Sequence, residues 1–182
     1  MTEPADLPRL LGDLLSIGIV ASVDLAAGEA VVEIGEISLP GIKWATGRAG
    51  AARIWCPPAV GEQVLVASPE GDLEGGLIVA SLSYERFPSP AGDASTVVAF
   101  EDGTTLAYDP GAAELTAIVA GGTARISAPA GITLIGPLKV EGDVAIAGKL
   151  DATGDVVGAG KSLKDHKHTA VAAGQALSGP PA

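Results

Sequence analysis

The chain of 182 residues carries a formal charge of −11 and is 47% hydrophobic, yet only 3% aromatic. So acidic a chain offers no basic stripe to displace counterions from phosphate, which argues against nucleic acid as a partner. Scarce bulk favours narrow, repetitive packing over one large core.

A single cysteine, Cys56, excludes an intrachain disulfide framework. It sits between Trp55 and Pro57-Pro58 with no positive charge to form a thiolate, so it reads as a buried structural thiol. No stretch reads as a signal peptide or a membrane span, so synthesis in a reducing cytosol is expected.

In chain order, residues 1–16 come first as an N-terminal helical segment. Leu7, Leu10, Leu11, Leu14 and Leu15 recur at spacings of three and four, with Asp6 as the cap and Pro8 in the first turn. Its expected role is packing on the domain that follows or attaching to a larger assembly.

Residues 17–84 are predicted to be all β, with strands over 17–24, 30–34, 42–45, 60–67 and 76–84. Ala27-Gly28 and Pro69-Glu70-Gly71 mark turns between them. Five short strands in about seventy residues suit a small closed barrel of the oligonucleotide/oligosaccharide-binding (OB) type. Trp44, Trp55, Arg48 and Arg53 are expected to fill and clamp it, since such a fold does not by itself establish ligand binding.

A stiff polar linker follows over residues 85–95, containing Phe87 and Pro88-Ser89-Pro90. Strands over 96–100 and 104–108 then flank the hairpin signal Glu101-Asp102-Gly103, and Asp109-Pro110-Gly111 leads into a third strand over 114–119.

Beyond it, glycine falls on every sixth residue at Gly136, Gly142, Gly148, Gly154 and Gly160. In the same register Ile126, Ile132, Leu138, Val144, Leu150 and Val156 are apolar, each with a companion two residues on: Ala128, Leu134, Val140, Ile146, Ala152 and Gly158. Positions i and i+2 share one face of an extended strand, and glycine supplies the bend between units. This is a β-solenoid pattern.

A lone ribbon of this kind has nothing to bury its face against. Three copies wound round one axis would each supply a wall, so residues 96–160 are predicted to form an intertwined trimeric β-helix shaft in a homotrimer. The companions shrink from Leu134 to Gly158, which would taper the shaft. Lys139, Glu141, Asp143, Lys149, Asp151 and Asp155 fall between apolar positions and should face water.

Two rivals are disfavoured. A hexapeptide-repeat acyltransferase places an aliphatic residue before each glycine, whereas here those residues are Ile135, Glu141, Ala147, Thr153 and Ala159, and no acid/base pair is evident. An OB-fold binding module for oligonucleotides fits poorly with the acidic charge.

Residues 161–182 form the predicted tip, where His166 and His168 are the only two histidines. A His-x-His near a terminus reads as a solvated tail on its own. At the end of three converging chains it would aim six imidazoles at one point, a donor set suited to an octahedral ion such as Fe(II) rather than four-coordinate zinc. Asp165 is a weaker candidate to orient one of them. The ion would pin the chain ends rather than turn over.

The run from Lys43-Trp44 through Arg48-Ala49-Gly50 to Arg53-Ile54-Trp55-Cys56, then Val60-Gly61-Glu62-Gln63, resembles the baseplate assembly protein V family, the central spike of contractile-tailed phages and R-type bacteriocins. The likeness continues through Ser68-Pro69-Glu70-Gly71-Asp72-Leu73 and Phe100-Glu101-Asp102-Gly103 to Tyr108-Asp109.

The resemblance implies no enzyme. It implies an OB barrel seated on tail hub and baseplate proteins, a trimeric needle whose His-x-His tip holds one iron ion per trimer, and a place in the virion. It further implies synthesis in the host cytoplasm and mechanical passage through the outer membrane of the target bacterium on sheath contraction.

Overall fold

The computed structural model describes residues 12–165. Their regular structure is β, apart from helical Gly12 and Asp13 at the start, within the expected N-terminal helix, and two short 3₁₀ turns at Pro69–Gly71 and Leu73–Gly75. The chain divides into two units, with the boundary between Arg125 and Ile126, where the hexads begin. The three-stranded sheet expected as the top of the shaft thus groups with the barrel.

Five strands close the barrel: β1 (Leu15–Asp24), β2 (Glu29–Ile34), β3 (Ile37–Trp44), β4 (Gln63–Ala67) and β5 (Leu77–Leu82), in the order β1-β2-β3-β5-β4. All neighbours pair antiparallel except β3 and β5, which run parallel through Lys43–Leu77 and Trp44–Ile78 only. Strand β1 opens at Leu15, inside the segment read as N-terminal helix; most of that segment lies outside the described residues.

Alternation sends every second side chain inward, as with Ala30 and Val32 or Val64 and Val66. With Val20, Leu39, Ile42 and Ile78 these make the buried core, and Val23, Ile34, Trp44 and Leu73 pack around it. Gly18 is buried where β1 crosses β2, and a Cβ there would lie 2.9 Å from the Glu33 carbonyl oxygen. Only glycine permits that approach.

Strand β3 is longer than the run predicted over 42–45. Ala30 pairs with Ile42 and Val32 with Leu39, so two residues of β2 oppose three steps of β3. The extra residue is a bulge at Pro40-Gly41, with Gly41 at φ 73°. It keeps Leu39 and Ile42 facing inward at a spacing of three, which hides the strand from a search for strict alternation.

Past the barrel the linker is tied to it. The Tyr84 amide donates to the Phe87 carbonyl at 3.1 Å, and the Arg86 guanidinium lies 5.5 Å from the centre of the Phe87 ring. The Arg86 side chain also rests against Gly61, where a Cβ would force it to shift. The second sheet, β6 (Thr96–Ala99), β7 (Thr105–Asp109) and β8 (Glu114–Ile118), is an antiparallel meander in that order.

Both of its turns are closed by aspartate, as the sequence signals suggest. Asp102 Oδ1 accepts from the Thr104 amide at 2.8 Å, and Asp109 Oδ1 accepts from the Gly111 amide at 2.7 Å. Register places Val98, Leu106, Tyr108 and Leu115 on one face, and each is about half exposed or more. Among the described residues nothing covers that face.

Candidate functional site

The second unit is the ladder itself. From Ile126 to Val156 the described residues enter no strand pairing, and the large ladder side chains stay exposed, from 39% at Val156 to 81% at Ile126. No described segment of the chain covers them.

The ribbon is nonetheless regular. Gly136, Gly142 and Gly148 take φ values of 118°, 136° and 158°, a positive-φ excursion at three successive six-residue steps that Gly154 does not share. Nothing lies within 4 Å of a Cβ built at any of them, so backbone conformation rather than crowding demands glycine.

Between the apolar positions, Lys139 pairs with Glu141, and Lys149 with Asp151 at 2.5 Å, all four side chains well exposed. Such solvated pairs contribute little stability. They do mark a polar face opposite an apolar one, as the alternation predicts.

At the far end the chain turns back. Strands β9 (Val157–Gly158) and β10 (Lys161–Ser162) pair antiparallel, with Lys161 opposite Gly158 and Ser162 opposite Val157. The two-residue turn has positive φ at both positions, 47° at Ala159 and 75° at Gly160. This is the turn whose twist matches a hairpin.

The pairing extends beyond the strands proper. The Leu163 amide donates to the Val156 carbonyl at 2.8 Å, the Lys164 amide to Asp155 Oδ1 at 3.1 Å, and the Asp165 amide to Ser162 Oγ at 2.8 Å. The Ser162 hydroxyl first and the Lys164 amide second hold the Asp155 carboxyl below its ordinary value. Val156, Leu163 and Asp165 line an open cleft of about 830 Å³ beside the turn.

This hairpin went unforeseen, because Gly158 and Gly160 fit the hexad register equally well. A usable signal was Ala159-Gly160 set between Val156-Val157 and Ser162-Leu163, a small X-Gly turn between two short apolar runs. The predicted metal ligands His166 and His168 lie outside the described residues. Asp165 is described, and its amide is engaged by Ser162.

Among the described residues no three His, Cys, Asp or Glu side chains come together as a metal site. In the barrel, Trp44 and Trp55 meet at 5.4 Å with rings tilted by 57°, so the tryptophans do pack together, although Trp55 stays 62% exposed. Cys56 is exposed rather than buried, which corrects its expected place. The loop carrying it lies outside the barrel core, and local sequence chemistry cannot report that.

Residues 16–82, the span of the closed barrel, match the family described as the Type VI secretion system/phage-baseplate injector OB domain. The likeness is not confined to the barrel. More particularly, the chain is 32% identical over 136 residues to the Spike protein of Escherichia phage P2, a match covering 73% of this chain and 63% of the P2 protein. The chain thus spans somewhat less than two thirds of that relative's length.

Proposed function

We propose that this chain is the structural, non-enzymatic spike of a contractile-tail baseplate, and that three copies wind their ladders round one axis into a needle that pierces the outer membrane of a target bacterium. The observation that carries the reading is the regular, uncovered ladder from Ile126 to Val156. A repeated apolar face that no described segment of its own chain covers calls for further copies. Each buried Leu, Ile or Val contributes about 1.5–3 kcal/mol relative to full exposure.

Function follows from shape and stiffness rather than from a reactive group. Charged residues on the outer face keep the shaft from adhering to lipid. The barrel, whose family description names an injector, attaches to hub and baseplate proteins, which places the protein in the virion after synthesis in the host cytoplasm.

At the tip, His166 and His168 from three chains supply six imidazole nitrogens, a donor set that suits one iron(II) ion per trimer. When bound, the ion cross-links chain ends. It has no catalytic duty.

Native mass spectrometry of the intact protein tests the reading, because it reports subunit number and metal mass together. A trimer with one iron-sized adduct, lost in the H166A/H168A variant, supports needle and tip. A monomer overturns the needle; a trimer without metal overturns the tip alone.

A further inference from the structure

The barrel carries a second uncovered surface that the needle does not explain. Between β3 and β4 the chain leaves regular structure, yet residues 46–58 hold a fixed shape of their own. The Ile54 amide donates to the Arg48 carbonyl at 3.0 Å, Thr46 Oγ1 donates to the same carbonyl at 2.7 Å, and Ala49 bridges Arg53. The loop presents Ile54 and Trp55, 52% and 62% exposed, with Trp55 backed by Trp44.

Charge marks the same place. Every lysine and arginine between residues 16 and 82 falls in or beside this loop, as Lys43, Arg48 and Arg53, all exposed. No ion pair among the described residues engages them. The barrel's carboxylates are more numerous, and apart from Glu62, which accepts from the Ala59 amide at the loop's end, they fall outside this stretch of sequence.

Three of those carboxylates, Glu70, Asp72 and Glu74, stand exposed within five residues on the two 3₁₀ turns between β4 and β5. Glu70 is held there at φ 59° and Asp72 caps the second turn. A pre-shaped loop rich in Trp and Arg is the kind of surface that anchors an interface. The complementary acidic surface is on the same chain.

We propose that residues 46–58 of one copy dock on the acidic turns, residues 69–75, of a second copy, with Trp55 covered at the centre. The contact is head to tail, the type that closes into a ring when the number of copies fits the rotation. It rests on the three-chain reading above, because winding the ladders together holds the barrels at the high local concentration that a small charged contact needs. The barrels then carry an interface of their own.

Cys56, exposed beside Trp55 and the sole thiol, is the reporter. The full chain is reacted with Ellman's reagent, and subunit number is read by native mass spectrometry on the same samples. Expected is a trimer whose Cys56 reacts at least about tenfold more slowly than in the assembly-blocked L138D/V144D variant, since a covered thiol reacts only on local opening.

Charge reversal by R48E/R53E restores fast reaction in a chain that remains trimeric, and adding E70K/E74K slows it again. A trimer whose Cys56 reacts as fast as in the blocked variant overturns this contact while the needle stands, leaving the loop to another baseplate protein. Protection that survives R48E/R53E, or that E70K/E74K fails to restore, overturns the charge pairing. A monomeric wild-type chain instead removes the three-chain reading itself.

Discussion

Barrel and ladder spend apolar residues in opposite ways. In the barrel, a closed ring of strands lets short side chains such as Val20, Val32, Val64 and Val66 reach essentially complete burial within one chain. In the ladder, residues of the same kind, at a spacing just as regular, stay open to water. Composition is therefore not what separates a self-contained domain from a component of an assembly. Closure is: the five strands return on themselves, whereas over its described residues this ribbon does not.

The sharpest way to break this contrast is to place a charge on the ladder face. Leu138→Asp is expected to abolish the trimer, since it would bury three unpaired carboxylates along one axis. Analytical ultracentrifugation reads the subunit number, and the barrel's own unfolding transition should stay where it was.

The converse variant is Ile42→Ala, at a fully buried position in the barrel. It is expected to cost about 2–5 kcal/mol of barrel stability while leaving subunit number unchanged. Calorimetry on the intact chain would separate the two effects. If the ladder variant melts the barrel, or the barrel variant dissociates the trimer, the two regions are not independent.

A smaller effect is expected from Gly142→Ala. The residue sits at φ 136°, and forcing an L side chain there costs about 1–3 kcal/mol per chain. Denaturant midpoints of the assembled shaft should fall, with no change in the barrel.

Smallest is the end hairpin. Its Asp155 carboxyl is held below the usual range by the Ser162 hydroxyl and the Lys164 amide. A depressed carboxyl stabilises the hairpin above its unfolded pKa, near 3.8, and the contribution is lost as pH falls through the lower folded value. Amide protection at Lys164, followed by hydrogen exchange, should therefore weaken on acidification in the wild type. In Asp155→Asn it should be weaker already at neutral pH and should lack that acid step.

Much of this architecture was legible in the sequence because period is a local property. The strands over 17–24, 30–34 and 114–119 are found within two residues of where alternation puts them, and the hexads announce the ladder. Strand β3 was misread because the bulge at Pro40-Gly41 changes the inward spacing from two to three. The return at Ala159-Gly160 was missed because a glycine serving a hairpin turn looks the same, in one sequence, as a glycine serving a repeat.

Exposure of Cys56 and Trp55 was not legible either. Whether a loop lies over a core or away from it depends on the path of the whole chain. The expectation for the histidines at 166 and 168 rests on their chemistry, their place beyond the ladder and the family resemblance, and its test is a metal analysis.

The ladder glycines have a consequence for heredity. A single base change in the first or second position of a glycine codon yields only residues that bear a Cβ, or a stop. At Gly136, Gly142 and Gly148 the backbone adopts dihedrals that such residues rarely take, although space around them is free. One nucleotide therefore suffices to damage a step of the ribbon, whereas a Val-to-Ile exchange in the barrel can be absorbed by repacking. Among sequence variants of this chain, drift should accumulate in the apolar identities of the rungs long before it touches the glycines between them.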